Sequence, residues 1–368
     1  MLEFQQKKYD NTSFMQITSR IKSIITSKEL SLKDALKQMD KLFCKSLLVL
    51  NNQKEFIGVL SVGDIQRALL ADKPLETKIS EALRPNSTIV QEDLPLKEIK
   101  SLILKEKMEF LPVLDSKGKI SKVHFWKDFF EHTKLPPKGK FNVPVIIMAG
   151  GFGTRLKPLT NVLPKPLIPI GETTMLEEIF SRFCNYGCDE FHISVNYKAE
   201  LIKYYLSSQH LPYNIDYFEE KKPLGTAGSL SLIREKLNKT FIVHNCDILI
   251  EQDYSEILDY HKEHDNEITL VSVLKSYSIP YGTIETGING QLTAMTEKPD
   301  MTFQINSGMY ILEPHLMAEI PNDEFFHITD LINKIKDRNG KVGVFPVSEN
   351  SWKDIGNWDE YLANFQNK

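Results

Sequence analysis

Residues Met148 to Gly171 read MAGGFGTRLKPLTNVLPKPLIPIG, directly after the apolar run Val143-Pro144-Val145-Ile146-Ile147. The run has the character of a buried strand, and the glycines Gly150, Gly151 and Gly153 that follow it predict a tight loop at the strand end. A glycine loop after a strand of an α/β sheet leaves backbone N–H groups free to face a phosphate. Two familiar phosphate loops are excluded: the pattern GxxxxGK[ST] is absent, and Gly151-x-Gly153 lacks both a third glycine and an immediate helix. What remains is close backbone approach at the glycines, a bidentate clamp at Arg155, and a point charge at Lys165 between Pro164 and Pro166. Together these describe a triphosphate grip with extra rigidity. The next helix is predicted over Thr173–Phe183, with Thr173 or Thr174 as N-cap.

The 368 residues exceed what one hydrophobic core usually serves, so two domains are expected. A hydrophobic fraction of 41%, a charged fraction of 26% and a net charge of -4 are ordinary for a soluble chain. They give no electrostatic reason to expect nucleic acid or an anionic membrane as partner. No apolar run approaches the roughly 20 residues of a membrane span, and the N-terminus lacks a signal-peptide core, which predicts a cytoplasmic protein. The four cysteines, Cys44, Cys184, Cys188 and Cys246, have no metal-site spacing and read as small buried residues.

The first third of the chain repeats itself. LSLKDALKQMDKLFCKSLLVLNNQKEFIGVLSVGDI from Leu30 aligns without a gap with LPLKEIKSLILKEKMEFLPVLDSKGKISKVHFWKDF from Leu94, pairing Val49 with Val113 and Asp64 with Asp128. Each copy predicts a helix, a strand (46–50, 110–114), a polar turn, a second strand (56–60, 120–124) and a second helix. The arrangement resembles a tandem CBS-domain pair, with repeats at about 17–75 and 80–135. That resemblance implies an adenine-nucleotide site at Gly58, Ser61 and Asp64 of the first copy, or else a purely structural, dimerising module. In the second copy Lys122 and Phe125 replace Gly58 and Ser61, while Asp128 remains. Prolines and lysines at 136–140 predict a linker, leaving 1–135 and 141–368 as domains.

GGFGTRLKPLTNVLPKP resembles the signature of the sugar-1-phosphate nucleotidyltransferases, and family-like segments continue to WKDIGNWDEYLAN near the C-terminus. The resemblance implies an α/β catalytic domain, a GT-A-like Rossmann variant with a mixed central sheet. It implies transfer of a nucleoside monophosphate to a sugar 1-phosphate with release of pyrophosphate. In that reaction an anionic oxygen attacks phosphorus, so positioning and charge neutralisation outweigh proton transfer. Catalysis is then expected from Arg155, Lys165, Asp247 and Asp354, with Mg²⁺ held by Asp247 and Asp354. Nucleotide contacts are expected from Ala149, Gly150, Gly151, Gly153, Thr154, Arg155, Lys165, Glu220 and Gly225.

Asp247 is read as the end of an apolar strand, Phe241–Ile250, that begins FIVHNC. Considered alone, a strand-end Asp is more often a turn former; the resemblance makes it a metal ligand. The same resemblance assigns the sugar phosphate to Gly282, Glu297, Lys298 and Asn306, although EKP alone is equally a charged turn and NSG a hairpin. Glu220, in the EEKKPLGTAG segment, suits the paired donors of guanine, which makes GTP the expected donor, but it is equally one of two solvated acids.

The CBS pair ahead of the catalytic motifs is similar to a bacterial subgroup that acts on glucosamine 1-phosphate for legionaminic acid synthesis. Mannose- and heptose-1-phosphate guanylyltransferases share the motifs, as do thymidylyl, uridylyl and cytidylyl members. A non-catalytic nucleotide sensor or a scaffold is the reading from another class. A homo-oligomer is expected through either domain.

Overall fold

The computed structural model describes residues 20–85, 87–130, 137, 139–209, 211–356, 358 and 361–362. Its contacts divide the chain into two units between Pro136 and Pro137. Residues 136 and 138 of the expected 136–140 linker and the first residues of the first repeat lie outside the described residues.

In the first unit the sequence repeat is a structural repeat. Strands Ile25–Ser27, Ser46–Leu50 and Phe56–Ser61 form one three-stranded sheet, and Val90–Gln91, Phe110–Leu114 and Ile120–Phe125 form another with the same order. The hairpin registers coincide. Ser46 pairs with Ser61 as Phe110 pairs with Phe125, and both ladders slip at the same place, Val49/Leu50 and Val113/Leu114. Lys45 donates its N–H to the Glu109 carboxylate at 2.8 Å across a separation of 64 residues, so equivalent positions of the two copies touch. The copies also exchange cations: Arg84 of the second lies 2.8 Å from Asp64 of the first, and Arg20 of the first lies 3.6 Å from Asp128 of the second. Arg20 also covers the Phe125 ring at 3.5 Å.

The second unit is built on a seven-stranded sheet. We label its strands β1 (Val145–Met148), β2 (Glu190–Val195), β3 (Asn214–Glu219), β4 (Phe241–Asn245), β5 (Ile268–Ser278), β6 (Asp300–Leu312) and β7 (Val342–Ser348). Their order is β3-β2-β1-β4-β6-β5-β7. The run β3-β2-β1-β4 is parallel, β6 is antiparallel to both neighbours, and β7 is parallel to β5. The sheet is therefore mixed, as expected.

Both faces are covered, which is why β1 reads as a continuous apolar run rather than an alternating one. Val145 and Ile147 enter a core with the helices Met175–Cys184, Ala199–Ser208 and Tyr254–Glu263. Ile146 enters the opposite core with Leu230, Leu331 and Ile335. Thr174 is the N-cap of Met175–Cys184 and closes a capping box with Glu177. One expected strand is corrected: the Phe241–Ile250 run breaks at Asp247, with Phe241–Asn245 in the large sheet and Ile248–Ile250 paired antiparallel to Trp352–Asp354. The four cysteines are free, with Cys188 and Cys246 buried as expected and Cys44 and Cys184 only half-buried. Among the described residues no helix is long and apolar enough to cross a membrane.

Candidate functional site

Strand order reverses beside β1: β2 and β3 extend to one side, β4 and β6 to the other. Open α/β sheets bind ligands at the C-terminal strand ends near such a switch. A cavity of about 410 Å³ lies there. Its lining draws on the ends of all four parallel strands: Met148 from β1, Ser194 from β2 and Asn196 after it, Glu220 after β3, and Asn245 from β4 with Asp247 after it.

The glycine loop forms one wall, and two of its glycines, Gly150 and Gly153, each answer to a neighbour. A Cβ on Gly150 would stand 2.9 Å from Glu220 Oε1, and one on Gly153, at φ +62, would stand 2.7 Å from the Thr160 methyl. Nothing would meet a Cβ on Gly151 within 4 Å, so its backbone borders open space. Thr154 opens a 3-10 turn, Thr154–Leu156, whose Leu156 is buried and whose Arg155 projects outward with its side chain 60% exposed. Ala149 behaves differently from expectation. Its side chain is in the core, its N–H is donated to the Ser194 carbonyl at 3.1 Å, and it is absent from the lining.

At the floor, the turn Lys165–Leu167, entered from Pro164, buries Lys165. A buried ammonium requires a partner, and its Nζ lies 2.5 Å from Asp247 Oδ2. Arg155 lies 3.3 Å from the same oxygen and 3.8 Å from Asp354 Oδ2. The short ladder sets the two carboxylates together: Ile248 pairs with Asp354, and Ile355 donates its N–H to the Asp247 carbonyl at 2.8 Å. A Cβ on Gly356 would fall 2.6 Å from Asp354 Oδ1, 2.8 Å from Asp247 Oδ2 and 3.0 Å from Arg155. Only glycine leaves that space open.

The donor set fits Mg²⁺, which takes one or two carboxylates and completes its shell with water and substrate phosphates. Among the described residues no cluster of three or more His, Cys, Asp or Glu forms a complete protein cage. The neighbours of Asp247 are chemically quiet. Burial lowers His244 to about 4 and pushes the Cys246 thiol up to about 12, so neither moves protons at neutral pH.

Glu220 lies in the lining, but both oxygens already accept protein hydrogen bonds: Oε1 from the Ser194 hydroxyl, and Oε2 from Leu224 N–H at 3.1 Å. Asn196 donates to its backbone carbonyl. Gly225, at φ +75, borders the cavity, and its missing side chain faces protein: a Cβ would stand 2.8 Å from the Phe326 carbonyl oxygen.

The four residues expected at the sugar phosphate do not line this cavity. Gly282 and Glu297 adjoin, since a Cβ on Gly282 would stand 3.0 Å from Glu297 Oε2. Glu297 and Lys298 are exposed, Lys298 at φ +44. Asn306 donates to the Tyr310 hydroxyl at 2.7 Å and accepts from Gly308 N–H at 3.1 Å. Gly308 meets the cavity at its margin, because a Cβ there would stand 2.6 Å from Asn245.

In the first unit, Asp64 is buried and accepts from the Ser61 N–H and hydroxyl as a capping box, while Arg67 and Arg84 pair with its other oxygen. Gly58 lies under Ser87, whose hydroxyl would stand 3.2 Å from an added Cβ. The three residues expected at a nucleotide are thus all engaged within the protein. Sequence reasoning missed Ser194, Asn196, Asn245, Thr226 and Phe325 in the catalytic-unit cavity. For Ser194 and Asn245 the strand-end position was the available signal; Phe325 carried none.

The site defines an α/β unit with a glycine loop, two cations and paired carboxylates around a cavity at its strand ends. The profile of the nucleotidyl transferase family matches residues 144–368, and the chain belongs to that family. The CBS-domain profile matches residues 17–71. The catalytic subunit beta of mannose-1-phosphate guanylyltransferase from Dictyostelium discoideum is 36% identical over 182 residues, covering 48% of this chain and 51% of that one. The mannose-1-phosphate guanyltransferase of Saccharomyces cerevisiae is 31% identical over 238 residues, covering 59% of this chain and 62% of its own length. The chain therefore spans between half and two thirds of these relatives. The crystal structure of HddC from Yersinia pseudotuberculosis shares 26% identity at a TM-score of 0.49, covering 61% of this chain and 98% of that one.

Proposed function

We propose that the chain is a sugar-1-phosphate guanylyltransferase that joins GMP from GTP to a hexose 1-phosphate and releases pyrophosphate. The observation that carries the reading is the floor of the cavity, where Lys165, Arg155, Asp247 and Asp354 converge beneath the glycine loop. Guanylyltransferases among the relatives favour guanine over the other bases. Glucosamine 1-phosphate is our preferred acceptor, in legionaminic acid synthesis, with mannose 1-phosphate the choice favoured by the named relatives.

An oxygen of the sugar phosphate forms the new bond to the α-phosphorus while the bond to the bridging oxygen of pyrophosphate breaks, and no proton need move. The N–H groups around Gly151 and the exposed Arg155 fork bind the nucleotide phosphates. Lys165, fixed by its buried turn, presents its charge to the phosphorus under attack, at little cost in reorganisation. Asp247 and Asp354 would hold Mg²⁺, which when bound neutralises charge between the α-phosphate and the incoming sugar phosphate. Asn306, beside Gly308, and the adjoining Gly282 and Glu297 with Lys298 receive the sugar phosphate. Ser194 and Leu224 fix Glu220, so its remaining lone pairs face the base edge in one orientation.

We further propose that residues 80–135 form a second CBS unit, on the shared register and the exchanged arginines. The test is pyrophosphate release by the full chain with Mg²⁺, each of ATP, CTP, GTP, UTP and dTTP, and glucosamine, N-acetylglucosamine, mannose, glucose or heptose 1-phosphate. GTP should be the best donor; turnover with another triphosphate and none with GTP removes the guanine assignment. Nucleotide binding without turnover in any combination would favour a sensor.

A further inference from the structure

Two aromatic side chains of the cavity lining are left unused by the catalytic scheme: Phe152, tilted against Tyr197 at 5.4 Å between centroids, and Phe325. Phe325 lines the cavity of the catalytic unit alongside Pro223, Gly225 and Thr226, and it is 60% exposed. Its backbone is held firmly. The next residue, Phe326, packs against the core, donates its N–H to the Leu224 carbonyl at 2.8 Å, and accepts from Ala227 and Gly228 N–H at 3.1 and 2.9 Å. The segment fits only because the turn beneath it has no side chains at two points. A Cβ on Gly228 would stand 2.4 Å from the Glu324 carbonyl oxygen, and one on Gly225 2.8 Å from that of Phe326. The His327 ring meets Phe325 edge-on at 4.6 Å between centroids.

A rigid, exposed phenyl ring in a cavity otherwise rich in hydroxyl, amide and carboxylate groups matches a flat ligand with apolar faces and a polar edge. We propose that Phe325 is a platform on which the nucleotide base stacks, setting affinity for the donor while the groups around Glu220 read the base edge. The inference rests on the nucleotide reading of the site above. Stacking engages the face that every base shares, so the platform strengthens binding without choosing among bases. Phosphate binding is the work of a different wall, the glycine loop with Arg155.

The test uses the full chain with Phe325→Ala, Phe325→Tyr and Phe325→Trp. Phe325→Ala should raise the KM for GTP about 5- to 150-fold, the range of one base–aromatic stack. Its kcat should stay within about threefold of wild type, since the lost contact acts equally before and during reaction. The Tyr or Trp variant should recover the KM, and inorganic tripolyphosphate, which has no base, should inhibit wild type and Phe325→Ala with equal Ki. An unchanged KM in Phe325→Ala, no recovery by Tyr or Trp, or an equal weakening of tripolyphosphate overturns the platform. Should wild type release no pyrophosphate, the transferase reading falls by itself. The calorimetric Kd of GTP for the same variants then decides the platform, and a wild type that binds no GTP overturns it.

Discussion

Replacing Lys165 with Met should separate what the lysine does chemically from what it does structurally. Its side chain is 9% exposed and its ammonium lies 2.5 Å from Asp247, itself 16% exposed. Desolvating such a pair offsets most of the attraction, and removing one partner costs about 3–5 kcal/mol where it leaves the other charge buried and uncompensated. Asp247 would not be stranded in the variant, because Arg155 still lies 3.3 Å from the same oxygen. The melting temperature of Lys165→Met should therefore hold. Activity should not: losing one preorganised charge at the reacting phosphorus costs about 100- to 1,000-fold in kcat, about 2.7–4 kcal/mol. Lys165→Arg should not restore it, since a planar fork does not fit the buried turn between Pro164 and Pro166. The assay pairs thermal melts with pyrophosphate release at saturating GTP and sugar 1-phosphate. A kcat near wild type refutes the chemical role; a fall of many degrees in melting temperature alongside lost activity refutes the energetic reasoning.

Three further outcomes are expected. Asp354→Asn should cut pyrophosphate release by at least about 100-fold with little change in melting temperature, because the amide oxygen can still accept from Gly356 N–H, and chelating Mg²⁺ should silence the wild type reversibly. Gly228→Ala should destabilise by about 1–3 kcal/mol and raise the KM for GTP, since its methyl would push Glu324 and the Phe325 segment away; an unaltered melt would refute this. Glu267, whose carboxyl Arg338, His315 and the Lys341 N–H hold at about 2 against an ordinary 4.5, stabilises the fold above pH 4.5 and loses that contribution as pH falls toward 2. With Arg338 39% exposed and screened by solvent, Glu267→Gln should cost about 1–2 kcal/mol at pH 7, and the gap between the two melts should narrow below pH 4.5. A gap constant with pH would refute that assignment.

What the sequence disclosed and what it hid follow from the range of the interactions involved. The glycine loop, the turn at Lys165 and the Thr174 cap are local, and residue types a few positions apart specify them. The CBS-like repeat was legible to the register of its hairpins, because both copies keep the same apolar alternation. Long-range contacts left no such trace. The break at Asp247 depends on pairing with Trp352–Asp354, over a hundred residues downstream, so an unbroken apolar run looked like one strand. Gly225 read only as a nucleotide contact; it borders the cavity, and its missing side chain also accommodates the Phe326 backbone, which no local pattern announced. Glu220 looked like a free carboxylate because Ser194 comes from another strand.

The exchanged arginines of the first unit bear on how small such a module can be. Each copy keeps its aspartate at a helix start and borrows a cation from its twin, which at Asp64 joins Arg67 of the same copy. A single copy expressed alone would present a severed half of that bargain, with Asp64 fully enclosed and lacking Arg84. The pair, rather than the single repeat, is then the unit in which both aspartates keep their cross-copy cations.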